Sequence, residues 1–204
     1  MGPALPPSEI LATLRELNNK VSVPLWLFGG VAVDFLVGRW TRPHGDVDLH
    51  ALAGHRGRLT QELSQIGYTS PDATWLTHWY QPATGRRLEI VFLEREADGL
   101  VALRIAPDSP VGVPGFYPLA RDYLAGDRFA SLGGVTFRVP SPAGEWLARA
   151  AGWEIVGGRP PEAKLAHDRE LLEGLIPADE LARLMRTRSN QPPDDPFPSG
   201  GPVR

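Results

Sequence analysis

The stretch FGGVAVDFLVGRWTRPHGDVDLH, residues 28–50, constrains the chain more than any other part of it. The apolar run PLWLF reads as a short buried strand ended by Gly29 and Gly30, and Val31 to Val37 as a short buried helix stopped by Gly38. DVDLHAL then reads as a second strand carrying Asp46 and Asp48. In a strand, side chains at i and i+2 face one side, roughly 6.5 to 7 Å apart, so the two carboxylates can converge. On an exposed face such a pair is simply solvated. A divalent cation is the other reason for it, because Mg²⁺ takes hard oxygen ligands and is commonly held by one or two carboxylates plus substrate phosphate.

The rest of the chain fits one domain with a small helical addition. At 204 residues a single core is the expectation. The net charge of −3 offers no large positive field, which argues against a general nucleic-acid binder. With no cysteine there is no disulfide framework, thiol nucleophile or thiolate metal site. The start MGPALPPSEI lacks a secretory pattern, and no apolar run reaches membrane-spanning length. A cytoplasmic protein with no membrane partner is therefore expected.

Ser8 is the expected cap of a first helix with Ile10, Leu11, Leu14 and Leu17 at helical spacing. GHRGRLTQELSQIG reads as an amphipathic helix with Leu59, Leu63 and Ile66 inward, and TWLTHWYQ and RRLEIVFLER as a hairpin joined by PATG. LVALRI is a further strand, the stretch with Pro107, Pro110, Pro114 and Pro118 reads as irregular, and GGVTFRV is the last strand. From Ser141, with Pro142 in the first turn, the pattern turns helical through PEAKLAHDRELLEGL and ADELARLMR. The expected organisation is a core over residues 1–140, a C-terminal helical part of the same domain over 141–187, and a Pro- and Gly-rich disordered tail over 188–204.

Gly29 and Gly30 serve a tight turn or let backbone N–H groups cradle a phosphate. Joined to the aspartates, they bring an anion cradle and a cation site together. Glu89, set among Leu88, Ile90 and Val91, is the candidate third carboxylate; its alternatives are an outward-facing residue or a partner of Arg86 or Arg87. Glu94 and Glu96 read as solvated. Arg39 and Arg42 are candidates for triphosphate oxygens or for loop salt bridges, and His44 for phosphate contact or loop positioning. Asp34, on the short helix, reads as a structural, capping or loop-fixing residue. Trp75, Trp79, Tyr80, Tyr123 and Trp153 divide between core and ring stacking, while Asp168 and Glu154 are candidate contacts for a cationic acceptor.

The spacing of Gly29, Gly30, Ala32, Asp34, Gly38, Arg39, Thr41, Arg42, His44, Asp46 and Asp48 closely resembles the signature of the antibiotic nucleotidyltransferases of the aminoglycoside 2''-adenylyltransferase and lincosamide nucleotidyltransferase type, within the DNA polymerase beta-like superfamily. Fainter similarity runs over most of residues 25–175. The resemblance implies an α+β nucleotidyltransferase fold, a mixed β-sheet flanked by helices with a C-terminal helical part. It implies Mg²⁺ held by Asp46, Asp48 and Glu89, which are also the catalytic residues, and nucleotide binding by Gly29 and Gly30. Arg39, Arg42 and His44 complete the expected nucleotide site. Three positions differ from the family pattern: Glu89 stands for an aspartate, Val91 for a histidine two residues on, and Ala150 with Trp153 for a histidine and a tyrosine.

The expected activity is transfer of a nucleoside monophosphate, AMP from ATP, to a hydroxyl of a small acceptor such as an aminoglycoside or lincosamide. Two alternatives stay open: an inactive nucleotide-binding module of the same fold, and a metal-dependent phosphohydrolase using His44, Asp46, Asp48 and His50.

Overall fold

The computed structural model describes residues 4–70, 75–97, 99, 101–105, 115–119, 123–124, 128–155 and 162–189. The stretch containing Pro107, Pro110 and Pro114, and residues 190–204 of the expected tail, lie outside the described residues, as do the side chains of Ala150, Trp153 and Glu154.

Helix α1, Pro7–Lys20, buries Ile10, Leu14 and Leu17. Ser8 is not its cap: the cap is Pro6, two residues earlier, because Pro7 in the first turn already has a helical φ and no N–H to satisfy. Strand β1 is only Trp26–Leu27, and helix α2, Gly29–Val37, includes both glycines in its first turn. Gly38 ends α2 with φ +79°, as its position implies. Val31, Ala32, Val33, Asp34 and Phe35 are all buried, so α2 is enclosed on every side. Strand β2, Val47–Leu52, leads through a short 3₁₀ turn to α3, Arg56–Gln65, which buries Leu59 and Leu63.

Strands β3, Leu76–Gln81, and β4, Arg86–Arg95, form the expected hairpin, with Gly85 at φ +74° in its turn. Then come β5, Val101–Ile105, and β6, Gly115–Pro118. The sequence pattern missed β6 because its one anchor, Tyr117, sits among prolines and glycines. It also missed β7, Phe129–Leu132, which pairs with β8, Val135–Arg138, across Gly133 and Gly134. Helices α4, Pro142–Ile155, α5, Glu162–Glu173, and α6, Ala178–Ser189, follow. The Ser141 hydroxyl accepts from the N–H of Gly144 and caps α4 as expected. Helix α6 runs through Ser189, two residues into the stretch expected to be tail.

The strands make a mixed sheet in the order β6-β5-β4-β2-β1-β8-β7, with β3 beside the first half of β4. Pairs β2/β4 and β1/β8 are parallel and the others antiparallel. Strand alternation sorts the side chains to two faces. Val47, Leu49, Ala51, Leu88, Ile90 and Phe92 join α1, α2 and α3 in the main core. Val91 and Leu93 join Trp26, Leu103 and Tyr123 in a second cluster on the opposite face. A third cluster, Val33, Trp146, Leu172 and Ile176, fixes α4 and α5 onto α2. Each fully buried large side chain contributes about 1.5–3 kcal/mol. Asp48, His50 and Glu89 share the second face, at one end of its apolar cluster.

Candidate active site

The two glycines begin α2 because other parts of the motif lie directly against them. Gly29 has φ +74°, and a Cβ on it would lie 2.1 Å from Oδ2 of Asp48. A Cβ on Gly30 would lie 2.0 Å from Nη2 of Arg42 and 2.7 Å from Cε1 of His44. No side chain fits at either position without moving its neighbour. The N–H of Gly29 donates to Oε1 of Glu145 on α4 at 2.9 Å. That donor, expected to meet a phosphate, is here satisfied by a protein carboxylate.

The loop between α2 and β2 is tied down by buried polar groups. Asp34 accepts from the backbone N–H of Thr41 at 3.0 Å and from its hydroxyl, and its second oxygen meets Nε2 of His44 at 2.6 Å. Arg42 reaches Nδ1 of His44 at 3.2 Å, which gives His44 the tautomer with hydrogen on Nε2. Arg42 also grips Asp168 of α5 bidentately, Nε to Oδ1 and Nη2 to Oδ2, each at 3.0 Å. Arg149 of α4 holds the same Asp168 at 2.7 Å and Glu145 at 3.2 Å. A continuous chain of polar contacts thus runs from Gly29 through Glu145, Arg149, Asp168, Arg42 and His44 to Asp34. Asp34 fixes the loop as expected. Arg42 and His44 are engaged in this lock, Arg39 is exposed on the loop, and Asp168 is fully buried between two arginines and not turned to an acceptor.

Three strands bring the acidic groups together. In the β2/β4 register Asp48 lies opposite Glu89, and in the β3/β4 register Glu89 lies opposite His78. Asp48, Glu89 and His78 therefore form one row across the sheet, with His78 Nε2 3.4 Å from Glu89 Oε2. Asp46 is exposed on the bend just before β2. Desolvation pushes the Asp48 carboxyl well above its ordinary value, and the charges of Asp46 and Glu89 push it further, while Arg149 and Lys164 oppose them. Glu89 is also raised, by desolvation first; His78 lowers it, Asp46 raises it and Lys164 lowers it. Among the described residues no three His, Cys, Asp or Glu side chains are gathered closely enough to form a finished metal cage. The donor chemistry nevertheless suits Mg²⁺: these are hard oxygens that repel one another, and a divalent cation relieves that repulsion.

The alternating His44, Asp46, Asp48 and His50 do not make a shared site. His44 points into the Asp34 lock, whereas His50 stacks on Phe28 at 4.0 Å and meets the Tyr123 hydroxyl at 2.9 Å. Burial holds the His50 imidazole down to about 3. Trp75, Trp79 and Tyr123 are buried in the apolar clusters, and Tyr80 is exposed. Sequence reading missed Glu145, Arg149, Lys164 and His78. The signals were present as Glu145/Arg149 and Lys164/Asp168 at i, i+4 on helices, and as His78 at the exposed phase of a strand.

The family model described as aminoglycoside-2''-adenylyltransferase matches residues 9–146. The chain belongs to the aminoglycoside-2''-adenylyltransferase family. The match begins in α1 and ends in α4, so the family's pattern covers the sheet and the acidic row and stops short of α5 and α6. A lincosamide resistance protein of Staphylococcus haemolyticus is 40% identical over 55 residues, 27% of this chain and 34% of that protein. A 2''-aminoglycoside nucleotidyltransferase of Klebsiella pneumoniae is 41% identical over 59 residues, 29% of this chain and 31% of that protein. The aligned segments span about a third of these curated relatives. The fold likeness is wider. A lincosamide antibiotic adenylyltransferase bound to lincomycin superposes with a TM-score of 0.62 at 20% identity, over 85% of this chain and all of the other. The aminoglycoside enzyme ANT(2'')-Ia, in complex with adenylyl-2''-tobramycin, gives 0.61 at 19% identity over 88% and 94%. The family member described here thus has the nucleotidyltransferase fold expected from its motif.

Proposed function

We propose that this family member transfers a nucleoside monophosphate, AMP from ATP, to a hydroxyl of a small acceptor of the aminoglycoside or lincosamide class. The observation that carries the reading is the row formed by Asp48 and Glu89 on paired strands, with Asp46 beside it: carboxylates held near one another at a cost, behind a glycine that leaves Asp48 its space. Asp46, Asp48 and Glu89 are the residues to hold Mg²⁺, which when bound supplies positive charge to the reacting phosphate oxygens.

The acceptor oxygen attacks the α-phosphorus in line. An oxygen–phosphorus bond forms, the bond to the bridging oxygen breaks, and its electron pair leaves with pyrophosphate. Glu89 is suited to take the hydroxyl proton, because desolvation raises its basicity while His78 keeps it oriented. The lock from Asp34 to Asp168 keeps the loop and α5 fixed while the acceptor approaches, so positioning is supplied before substrate arrives. The two solved relatives hold lincomycin and adenylyl-2''-tobramycin, which makes lincomycin and unmodified tobramycin the first acceptors to try.

The test is incubation of the purified chain with ATP, Mg²⁺ and a panel of both antibiotic classes, read by mass spectrometry. Gain of one adenylyl group on an acceptor, lost in Asp48→Asn, supports the reading. Nucleotide binding with no adduct on any hydroxylated acceptor points instead to a binding module.

A further inference from the structure

One buried carboxylate reaches both sides of Asp48. Glu145, in the first turn of α4, is 1% exposed and uses its two oxygens in different directions. Oε1 accepts from the N–H of Gly29 at 2.9 Å and from Nε of Arg149 at 3.2 Å. Oε2 accepts from the Tyr123 hydroxyl at 3.3 Å, and the same hydroxyl meets Nε2 of His50 at 2.9 Å. Burial raises the Glu145 carboxyl, while Arg149, the Gly29 N–H and the Tyr123 hydroxyl pull it back.

Both directions lead to Asp48. On one side, the N–H of Phe28 donates to the backbone carbonyl of Asp48 at 3.0 Å, and Gly29 lies so close that a Cβ there would be 2.1 Å from Oδ2 of Asp48. On the other, His50 follows Asp48 by two residues on the same face of β2 and stacks on Phe28, ring centroids 4.0 Å apart. Tyr123 is itself held against the start of α4: its carbonyl accepts from the N–H of Ser141 at 3.3 Å, and a Cβ on Gly144 would lie 2.4 Å from its Cδ2. Gly29, His50, Tyr123 and Glu145 are all buried, and Asp48 alone of these five is partly exposed. The framework thus ends on the one carboxylate among them that a ligand can reach. Holding a charge in that interior brings little stability, since an apolar pair of similar size is often as stable. What a carboxylate brings is direction, because its oxygens accept along fixed lines and so orient a backbone N–H and a hydroxyl.

Resting on the nucleotidyl-transfer reading above, we propose that Glu145 is a positioning residue of the transfer: it sets the Asp48 carboxylate in place for the metal and the reacting phosphate, through Gly29 on one side and through Tyr123 and His50 on the other. It acts through these neighbours and not by touching substrate. Groups that orient a metal-holding side chain matter nearly as much as the ligand itself, and removing one costs about 10–100-fold in metal affinity or activity.

The experiment compares Glu145→Met and Glu145→Gln with the wild-type chain, in steady-state nucleotidyl transfer and by NMR of the Asp48 carboxyl carbon. Methionine offers no acceptor to Gly29 or Tyr123, whereas glutamine keeps one oxygen for Gly29. The expected result is a kcat lowered about 10–100-fold in Glu145→Met at a KM for ATP within about threefold, with most of the loss recovered in Glu145→Gln. The Asp48 carbon signal moves in Glu145→Met and returns toward its wild-type position in Glu145→Gln. If Glu145→Met does not fold, Glu145→Met/Arg149→Met replaces it, read against Arg149→Met; that pair leaves no charge unpaired, with Asp168 still held by Arg42. A folded variant without the acceptor that keeps the wild-type kcat and Asp48 signal overturns the inference. So does a Glu145→Gln as slow as Glu145→Met, which makes the charge and not the acceptor the requirement. Glu16→Gln, which breaks the separate ion pair with Arg86, is the control: kcat stays within about twofold although Tm falls, and a loss as large as that of Glu145→Met reduces the effect to stability and overturns the inference. A wild type that transfers nothing to any acceptor removes the proposed function, and the Asp48 signal then decides by itself whether Glu145 positions that carboxylate.

Discussion

Replacing Gly29 by alanine places a methyl group where the structure leaves no room. The new Cβ lies 2.1 Å from Oδ2 and 3.0 Å from Cγ of Asp48, so the carboxylate must retreat by roughly 1.3 Å to regain ordinary contact. The backbone adds its own cost: φ is +74°, and an L-residue there loses about 1–2 kcal/mol. Overpacking adds about 1–3 kcal/mol, for a total of about 2–5 kcal/mol. In a chain of this size that lowers Tm by roughly 4–20 °C. The two contributions separate in a double-mutant cycle measured by urea denaturation on wild type, Gly29→Ala, Asp48→Ala and the double variant. Removing the Asp48 carboxylate removes the clash and leaves the backbone cost, so a coupling of about 1–3 kcal/mol is expected. Nucleotidyl transfer by Gly29→Ala should fall about a hundredfold, the usual consequence of misplacing a reacting group by an ångström. Additive destabilisation within about 0.5 kcal/mol, or an alanine variant as stable as wild type, refutes the idea that Gly29 exists to seat Asp48.

Arg42→Lys keeps the charge but cannot fork onto both oxygens of Asp168, whose side chain is 0% exposed against 15% for Arg42; a loss of about 2 kcal/mol is expected by calorimetry, and unchanged stability sinks the lock. His50 has its pKa held down to about 3, so unfolded imidazole takes up a proton near 6.5 that the folded protein refuses. Stability from this group is therefore present above pH 6.5 and is lost progressively toward pH 3, about 2 kcal/mol of it by pH 5. His50→Phe, which keeps a ring on Phe28, should remove that slope in denaturant titrations at pH 7 and 5, and an unchanged slope assigns it to other groups. Asp48 and Glu89 shift the opposite way: raised carboxylates favour the fold at low pH and weaken it as pH rises through their folded values. Asp48→Asn should accordingly melt higher than wild type in EDTA and lose the Mg²⁺-dependent rise in Tm, which in wild type should be larger at pH 8 than at pH 5. An equal Mg²⁺ response in the variant would exclude Asp48 as a ligand.

Much of this was legible in the chain because the signals are local. The spacing of Gly29, Gly30, Asp46 and Asp48 carries strand, helix and strand in about twenty residues, and Gly38 marks its own stop by needing a left-handed backbone. The Glu89 strand was readable from its alternation, which sets Leu88 and Ile90 against Glu89 and Val91. Less was legible where a short strand depends on its partner. Residues 129–132 lack a strong apolar pattern and are extended only because β8 lies beside them.

The sequence by itself determined the strand, glycine turn, helix and strand of its motif and the family to which that motif belongs, since these follow from backbone preference and local spacing. Only the tertiary structure decided which charges meet. Register across three strands put His78 against Glu89 and Glu89 against Asp48, and helix packing brought Glu145, Arg149 and Asp168, more than a hundred residues away, onto Gly29 and Arg42. Coulomb energy depends on distance and on the water excluded between charges, and neither is written into the spacing of residues along a chain.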